Sequence, residues 1–261
     1  MRKYFFLLSI IVGLQITCYA QKHGTTLRIW NKDIPMCVYL PEKYFLSITS
    51  YPVLYLLSGT GDSDKTWFEE GKLSSIVDEL ATQGAIREMI IVMPQIPINV
   101  DSDFIENFNN TINFIERNFR VLKNKKNRAI AGLSIGGFYA MHISHHFPQK
   151  FNYIGLFSAI YTIKKKEIFK DSEKFLFGIS ENSPNVYKNV EKDLAKQFRY
   201  PPELYYIAIG KNDFLYKQNL LFRKYLDKHK YQYFYYESSG GHNWKNWREY
   251  LTLFLPLLFR N

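Results

Sequence analysis

Hydrophobic and polar positions alternate with period two over Thr25–Trp30 and Ile34–Leu40, and Asn31-Lys32-Asp33 between them reads as a hairpin turn. Val53–Leu57, Met89–Met93, Arg128–Leu133, Tyr153–Phe157 and Leu204–Ile209 are short, almost wholly apolar runs of the kind that form strands buried on both faces. Tyr231–Tyr236 reads as a last strand. Helical spacing appears at Leu73, Ile76, Val77, Leu80 and Ala81, and again at Phe104, Phe108, Ile112, Ile115 and Phe119. Ile135–His146, Leu215–Lys228 and Trp244–Phe259 complete the predicted helices. Strand and helix alternate, which implies an α/β fold with a mostly parallel central sheet and helices on both faces. The stretch Ile160–Arg199 breaks that rhythm. It is polar and lysine-rich, and reads either as an insertion above the sheet, such as a lid, or as a solvated excursion.

The amino end has a different pattern. Arg2 and Lys3 precede an apolar run, Tyr4–Leu14, and Cys18-Tyr19-Ala20 places small residues where a leader is cleaved. Residues 1–20 therefore read as a signal peptide and 21–261 as one domain, periplasmic or secreted. The run is short of the roughly 20 residues a membrane span needs, so stable membrane insertion is not expected after cleavage. A lipid on Cys18 is the other processing to weigh, with Gln15-Ile16-Thr17 a poor lead-in to it.

Composition narrows the classes further. The chain has 261 residues, 46% hydrophobic and 22% charged, a globular balance that suits one domain. Its formal net charge of +10 is spread over scattered lysines and short runs such as Lys164-Lys165-Lys166. No nucleic-acid-binding module accompanies them, so the charge reads as a solvated surface or as a bias toward acidic partners. Loss of Cys18 with the leader would leave Cys37 alone in an alternating apolar stretch, with no internal disulfide to form. No His/Cys cluster has metal-ligand spacing and no phosphate-binding glycine loop is present, so neither metal nor cofactor is expected.

The chemistry-bearing motif is Gly132-Leu133-Ser134-Ile135-Gly136, a G-x-S-x-G pentapeptide between a predicted strand and a predicted helix. That context is the nucleophile elbow of α/β-hydrolases: a sharp turn pushes the serine outward, and glycines on either side leave room for it. The helix behind it turns its amino end toward the site, which favours developing negative charge. A serine hydroxyl needs a base, and in this fold the chain order is Ser, then Asp or Glu, then His. Of the 6 histidines only His229 and His242 come late enough. His229, in Asp227-Lys228-His229-Lys230, looks like a helix cap, whereas His242 follows a strand in Ser239-Gly240-Gly241-His242. Asp213, just past the strand Leu204–Ile209, is the preferred acid, with Glu237 as fallback and a helix N-cap as its competing role. An oxyanion would need the Ile135 N–H and a second donor after Val53–Leu57, for which Thr60 is chosen. Trp67 and Trp244 are candidates for stacking on a sugar, although tryptophans at such positions, Trp247 included, are commonly core.

Taken together these segments resemble the esterase D family, which includes carbohydrate esterases such as feruloyl and acetyl-xylan esterases. The resemblance runs through Leu56-Leu57-Ser58-Gly59, Trp67, Gly71 and Ile91-Val92-Met93-Pro94, then Ala129-Ile130-Ala131 and the serine pentapeptide with Gly137. It ends with Gly240-Gly241-His242-Asn243-Trp244-Lys245-Asn246-Trp247-Arg248. It implies Ser134 as nucleophile, Asp213 as acid and His242 as base, acting on feruloyl or acetyl esters of small-molecule or polysaccharide carbohydrates. Two segments depart from the carbohydrate-esterase branch. Ser58 stands where that branch usually has His and where the similar formylglutathione hydrolases have Ser, and Gln95-Ile96-Pro97 replaces an Asn-Gly-type sequence. Siderophore esterases and mycolyl-type acyltransferases are further relatives, and a catalytically inactive glycan-binding protein is the non-enzyme reading.

Overall fold

The computed structural model describes residues 19–20, 24–97, 102–161 and 190–260. The predicted signal peptide lies outside the described residues except for Tyr19–Ala20, as does the middle of the Ile160–Arg199 stretch. Among the described residues nine strands form one sheet: β1 (Tyr19–Ala20), β2 (Thr25–Asn31), β3 (Ile34–Leu40), β4 (Val53–Leu57), β5 (Ile90–Pro94), β6 (Arg128–Leu133), β7 (Tyr153–Phe157), β8 (Leu204–Gly210) and β9 (Phe234–Ser238). Their spatial order is β1-β2-β3-β5-β4-β6-β7-β8-β9. The strands from β5 to β9 in that order are parallel, and the hairpin β2–β3 joins antiparallel through β3 and β5. The chain passes from β4 out to β5, then returns to place β6 on the other side of β4. Beyond the carboxyl ends of β4 and β6, connections leave in opposite directions, which makes this the topological switch point at which such sheets bind ligands.

The apolar runs form strands because both of their faces are covered. Every residue of β4, β5, β6 and β7 is buried. Val53, Tyr55 and Leu57 face one core layer, Leu54 and Leu56 the other. On the first face lie α3 (Ser102–Asn118), α4 (Ile135–His146), α5 (Val190–Arg199) and α6 (Tyr216–Lys228). On the second lie α1 (Thr66–Glu69), α2 (Leu73–Thr82) and α7 (Trp244–Phe254). Helix α3 turns Phe104, Phe108, Ile112 and Ile115 inward, as the spacing requires. Cys37 is buried and its thiol donates to Asp64 at 3.5 Å.

The larger departures from the sequence reading each have a local reason. The last strand begins at Phe234 rather than Tyr231 because α6 ends in a Schellman motif. Lys230 adopts φ 57°, its N–H donates to the Asp227 carbonyl at 3.0 Å, and the Tyr231 N–H donates to Leu226 at 3.0 Å. Helix α7 stops at Phe254 rather than Phe259, since Pro256 has no N–H for the ladder and the chain tightens into a 3₁₀ turn at Leu255–Leu257. Val190–Arg199, the described end of the polar stretch, is an amphipathic helix with Val190 and Leu194 buried in the core beside α4. Among the described residues no helix is long and apolar enough to cross a membrane.

Helix α4 is buried on nearly every side and carries two imidazoles into the core. His142 and His145 are 5% and 1% exposed, and His142 Nε2 and both His145 nitrogens have no hydrogen-bond partner among the described residues. Burial pushes His142 down to about 3, and pushes His145 below the usual imidazole value, with His142 adding to the effect. Both are neutral in the folded chain and take protons more readily once unfolded. Their contribution to stability is therefore full above about pH 6.5 and is lost as the pH falls toward about 3. Urea denaturation should show a marked loss between pH 7.5 and 4.5. His142→Leu should remove roughly 2–3 kcal/mol of that loss; an unchanged acid dependence would assign it to other groups.

Candidate active site

Ser134 lies between β6 and α4, at the carboxyl end of the strand. Its backbone adopts φ 53° and ψ −119°, a conformation rarely used by L-residues, which projects the side chain away from the sheet. The strain is held by packing and by hydrogen bonds. The Ser134 N–H donates to the Phe157 carbonyl of β7 at 2.9 Å, and the Ser134 carbonyl accepts the Phe138 N–H at 3.1 Å. A Cβ on Gly132 would overlap the Gly136 carbonyl, and one on Gly136 would overlap the Ser58 carbonyl. The two glycines thus let strand, helix and the loop after β4 close on one another around the serine.

His242 reaches Ser134 from the loop after β9, and Asp213 reaches His242 from the loop after β8. The distances are 3.0 Å from His242 Nε2 to Ser134 Oγ, and 3.1 and 3.0 Å from His242 Nδ1 to the two oxygens of Asp213. An ionised carboxylate can only accept, so Nδ1 carries the proton and Nε2 is left to accept the serine hydroxyl. Asp213 is 3% exposed, and its Oδ1 also accepts the Leu215 N–H at 2.9 Å. It therefore caps the turn before α6 while it faces the imidazole.

The two loops are laced together. Lys211 N–H donates to the Ser238 carbonyl and Asn212 N–H to the Gly240 carbonyl, while the Asn212 side chain donates to Ser239 at 2.9 Å. Asn246, at the start of α7, donates to the Gly241 carbonyl at 2.6 Å. Asn243 caps α7, its side chain accepting the Asn246 N–H at 3.2 Å. The imidazole is also held by rings, Phe214 at 4.5 Å on one side and Trp247 edge-on at 5.0 Å on another.

The competing residues lie elsewhere. Glu237 accepts from Tyr216 at 2.9 Å and Tyr235 at 2.5 Å and pairs with Lys211. The Tyr235 hydrogen bond leads in holding its carboxyl below the usual range. His229 caps α6, donating through Nδ1 to the Tyr225 carbonyl at 2.8 Å. Trp67 is corrected from a candidate ligand contact to a core residue. It has no exposed surface, and its indole N–H donates to the Leu57 carbonyl at 3.0 Å. Trp244 is half-buried, edge-on to Trp67 at 5.2 Å and to Trp247 at 5.1 Å, so it lines the wall behind His242.

The loop Ser58–Asp64 crosses in front of the elbow. A Cβ built on Gly59 would stand 3.8 Å from Ser134 Cβ. Thr60 is exposed at the tip, and Ile135 is the first residue of α4. Among the described hydrogen bonds neither the Thr60 nor the Ile135 N–H has an acceptor. The Gly59 N–H donates to Asp62 at 2.7 Å; burial pushes the Asp62 carboxyl up, and that hydrogen bond opposes the rise. Sequence reasoning did not single out Asp62 or Phe214, and noted Gln95 only as part of a departing segment. The adjacency of Phe214 to Asp213 was its one available signal, and the bonds of the other two to this loop are tertiary contacts.

The sequence model of the Esterase family matches residues 28–111 and 104–258. An endo-1,4-beta-xylanase/feruloyl esterase of Xylanibacter ruminicola is 35% identical over 185 residues, 62% of this chain and 25% of that protein. An acetyl esterase of Caldicellulosiruptor saccharolyticus is 28% identical over 161 residues, 55% of this chain and 59% of that one. The matches thus span less than two thirds of either relative. Among solved structures, a ferulic acid esterase superposes with a TM-score of 0.72 at 27% identity, covering 90% of this chain and 96% of its own. An S-formylglutathione hydrolase of Staphylococcus aureus shares the fold with a TM-score of 0.73 at 19% identity, over 91% of this chain and 98% of its own. With matched segments running from within β2 to just past the end of α7, this chain belongs to the Esterase family and has the α/β-hydrolase fold.

Proposed function

We propose that this protein is an exported esterase that removes feruloyl or acetyl groups from carbohydrates through an acyl-enzyme on Ser134. The observation that carries this reading is the continuous line from Ser134 Oγ through His242 to the buried Asp213, beyond the carboxyl ends of the parallel strands. The likeness to a feruloyl esterase and to an acetyl esterase supports the acyl classes. The amino-terminal pattern of charge, apolar run and small residues supports export into the periplasm or the medium.

Each atom has a task in this scheme. Ser134 Oγ attacks the ester carbonyl carbon while His242 Nε2 takes its proton. Asp213 stabilises the imidazolium and keeps the ring in the required tautomer. The carbonyl oxygen becomes an oxyanion facing the Ile135 and Thr60 N–H groups, at the amino end of α4. The carbon–oxygen bond to the sugar then breaks, and the sugar oxygen takes the proton from His242. Water repeats the sequence: it loses a proton to His242 and attacks the acyl carbon, and Ser134 Oγ leaves and recovers that proton. The exposed Phe214 offers an apolar face beside His242.

A fluorophosphonate probe should label the protein covalently, and Ser134→Ala should abolish labelling and lower kcat by roughly 10⁶-fold. A folded wild-type sample without label would refute the nucleophile. Asp213→Asn should retain the fold but lower kcat by about 10⁴-fold, whereas Glu237→Gln should leave kcat nearly unchanged. The reverse ranking would move the acid to Glu237. Assays with methyl ferulate, acetylated xylan, aryl acetates and a catecholate siderophore would rank the substrates. Turnover of the siderophore alone would overturn the carbohydrate assignment.

A further inference from the structure

The loop after β4 is fixed by two side chains that the scheme above does not use. Asp62 closes it from within. Its Oδ2 accepts the Gly59 N–H at 2.7 Å, and its own N–H donates to the Gly59 carbonyl at 3.3 Å. Thr60 and Gly61 are left at the tip, where Gly61 takes φ 77°. Gln95 clamps it from the neighbouring strand, as the first residue after β5. Its Nε2 donates to the Asp62 carbonyl at 2.8 Å, and its Oε1 accepts the Asp64 N–H at 3.0 Å. A carbonyl can only accept and an N–H only donate, so these two bonds fix the amide in one orientation. Asp64, 1% exposed, anchors the far end on Arg28 through bonds of 2.9 and 3.1 Å.

This network decides which N–H of the loop is available. The Gly59 N–H is taken by the Asp62 carboxylate, and the Thr60 N–H next to it has no acceptor among the described hydrogen bonds. The loop is held against the elbow as well, through the Ser58 carbonyl over Gly136 and Gly59 beside Ser134. An oxyanion donor is effective only if it is aimed before charge develops, because reorienting it during reaction costs part of what it contributes. We propose that Asp62 and Gln95 are positioning residues, which hold the Ser58–Asp64 loop so that the Thr60 N–H completes the oxyanion site. This inference rests on the reading of Ser134 as the nucleophile. It also assigns a task to Gln95, in the segment that departs from the carbohydrate-esterase pattern.

The test compares Asp62→Ala, Asp62→Asn and Gln95→Glu in the full chain, using 4-nitrophenyl acetate as substrate and phenylboronic acid as a tetrahedral mimic. Asp62→Ala removes the acceptor for Gly59, and Asp62→Asn keeps one. Gln95→Glu keeps the acceptor for Asp64 but loses the donor to the Asp62 carbonyl. Asp62→Ala and Gln95→Glu should each lower kcat by roughly 10-fold or more, less than the loss of a whole oxyanion donor. KM should stay within about 2-fold and boronate affinity should fall in step with kcat. Asp62→Asn should recover kcat to within about 3-fold of wild type. Folded variants with wild-type kcat and boronate affinity would overturn the inference. So would a kcat loss with unchanged boronate affinity, or an Asp62→Asn no better than Asp62→Ala. If Asp62→Ala does not fold, Gln95→Glu alone decides. A wild-type chain that resists the fluorophosphonate would instead refute the nucleophile beneath the inference. A labelled wild type with unaffected variants would refute only the positioning roles.

Discussion

A serine at φ 53° and ψ −119° is expensive for an L-residue, on the order of 1–3 kcal/mol. Much of the surrounding structure is what holds it there. The Ser134 amide is tied to β7, its carbonyl begins the bonding of α4, and the chain on either side touches itself so closely that Gly132 and Gly136 leave no space for a Cβ. The parallel centre of the sheet makes this possible. It brings β4, β6 and β7 side by side with their carboxyl ends level, so one elbow can be braced from both flanks.

Much of this could be read along the chain, because the central strands are buried on both faces and leave uninterrupted apolar runs. Where expectation and structure part, the cause is a contact that linear pattern does not display. Lys230 closes α6 in the left-handed conformation that glycine usually provides, so the turn carried no glycine to mark it and Tyr231 passed for strand. Pro256 was visible, but a proline two residues past a helix end does not by itself say which turn follows. Trp67 has the composition of a sugar platform and the surroundings of a core residue, and the bond from its indole to Leu57 settles it in the core.

At the candidate site, Ser134, Asp213 and His242 were legible for separate reasons: a pentapeptide between strand and helix, and a fixed order of later residues. Asp213 also shows why its two readings were hard to separate. It both receives the Leu215 N–H at the start of α6 and faces His242, so the capping pattern and the acid pattern describe one residue. The clamp on the loop after β4 left no comparable trace. Gln95 and Asp62 are 33 residues apart and meet only because β5 pairs with β4.

Cys37 has a consequence of a different kind. Its thiol is buried, donates to Asp64, and is pushed up to about 12, chiefly by burial and then by the Asp64 charge. Exchange with other sulfurs proceeds through the thiolate, and near neutral pH a thiol with that value is ionised in only about one molecule in 10⁵. Cys37 is thus a poor partner for mixed disulfides and for oxidation. In the folded chain this sulfur is consequently little coupled to the redox poise of its surroundings.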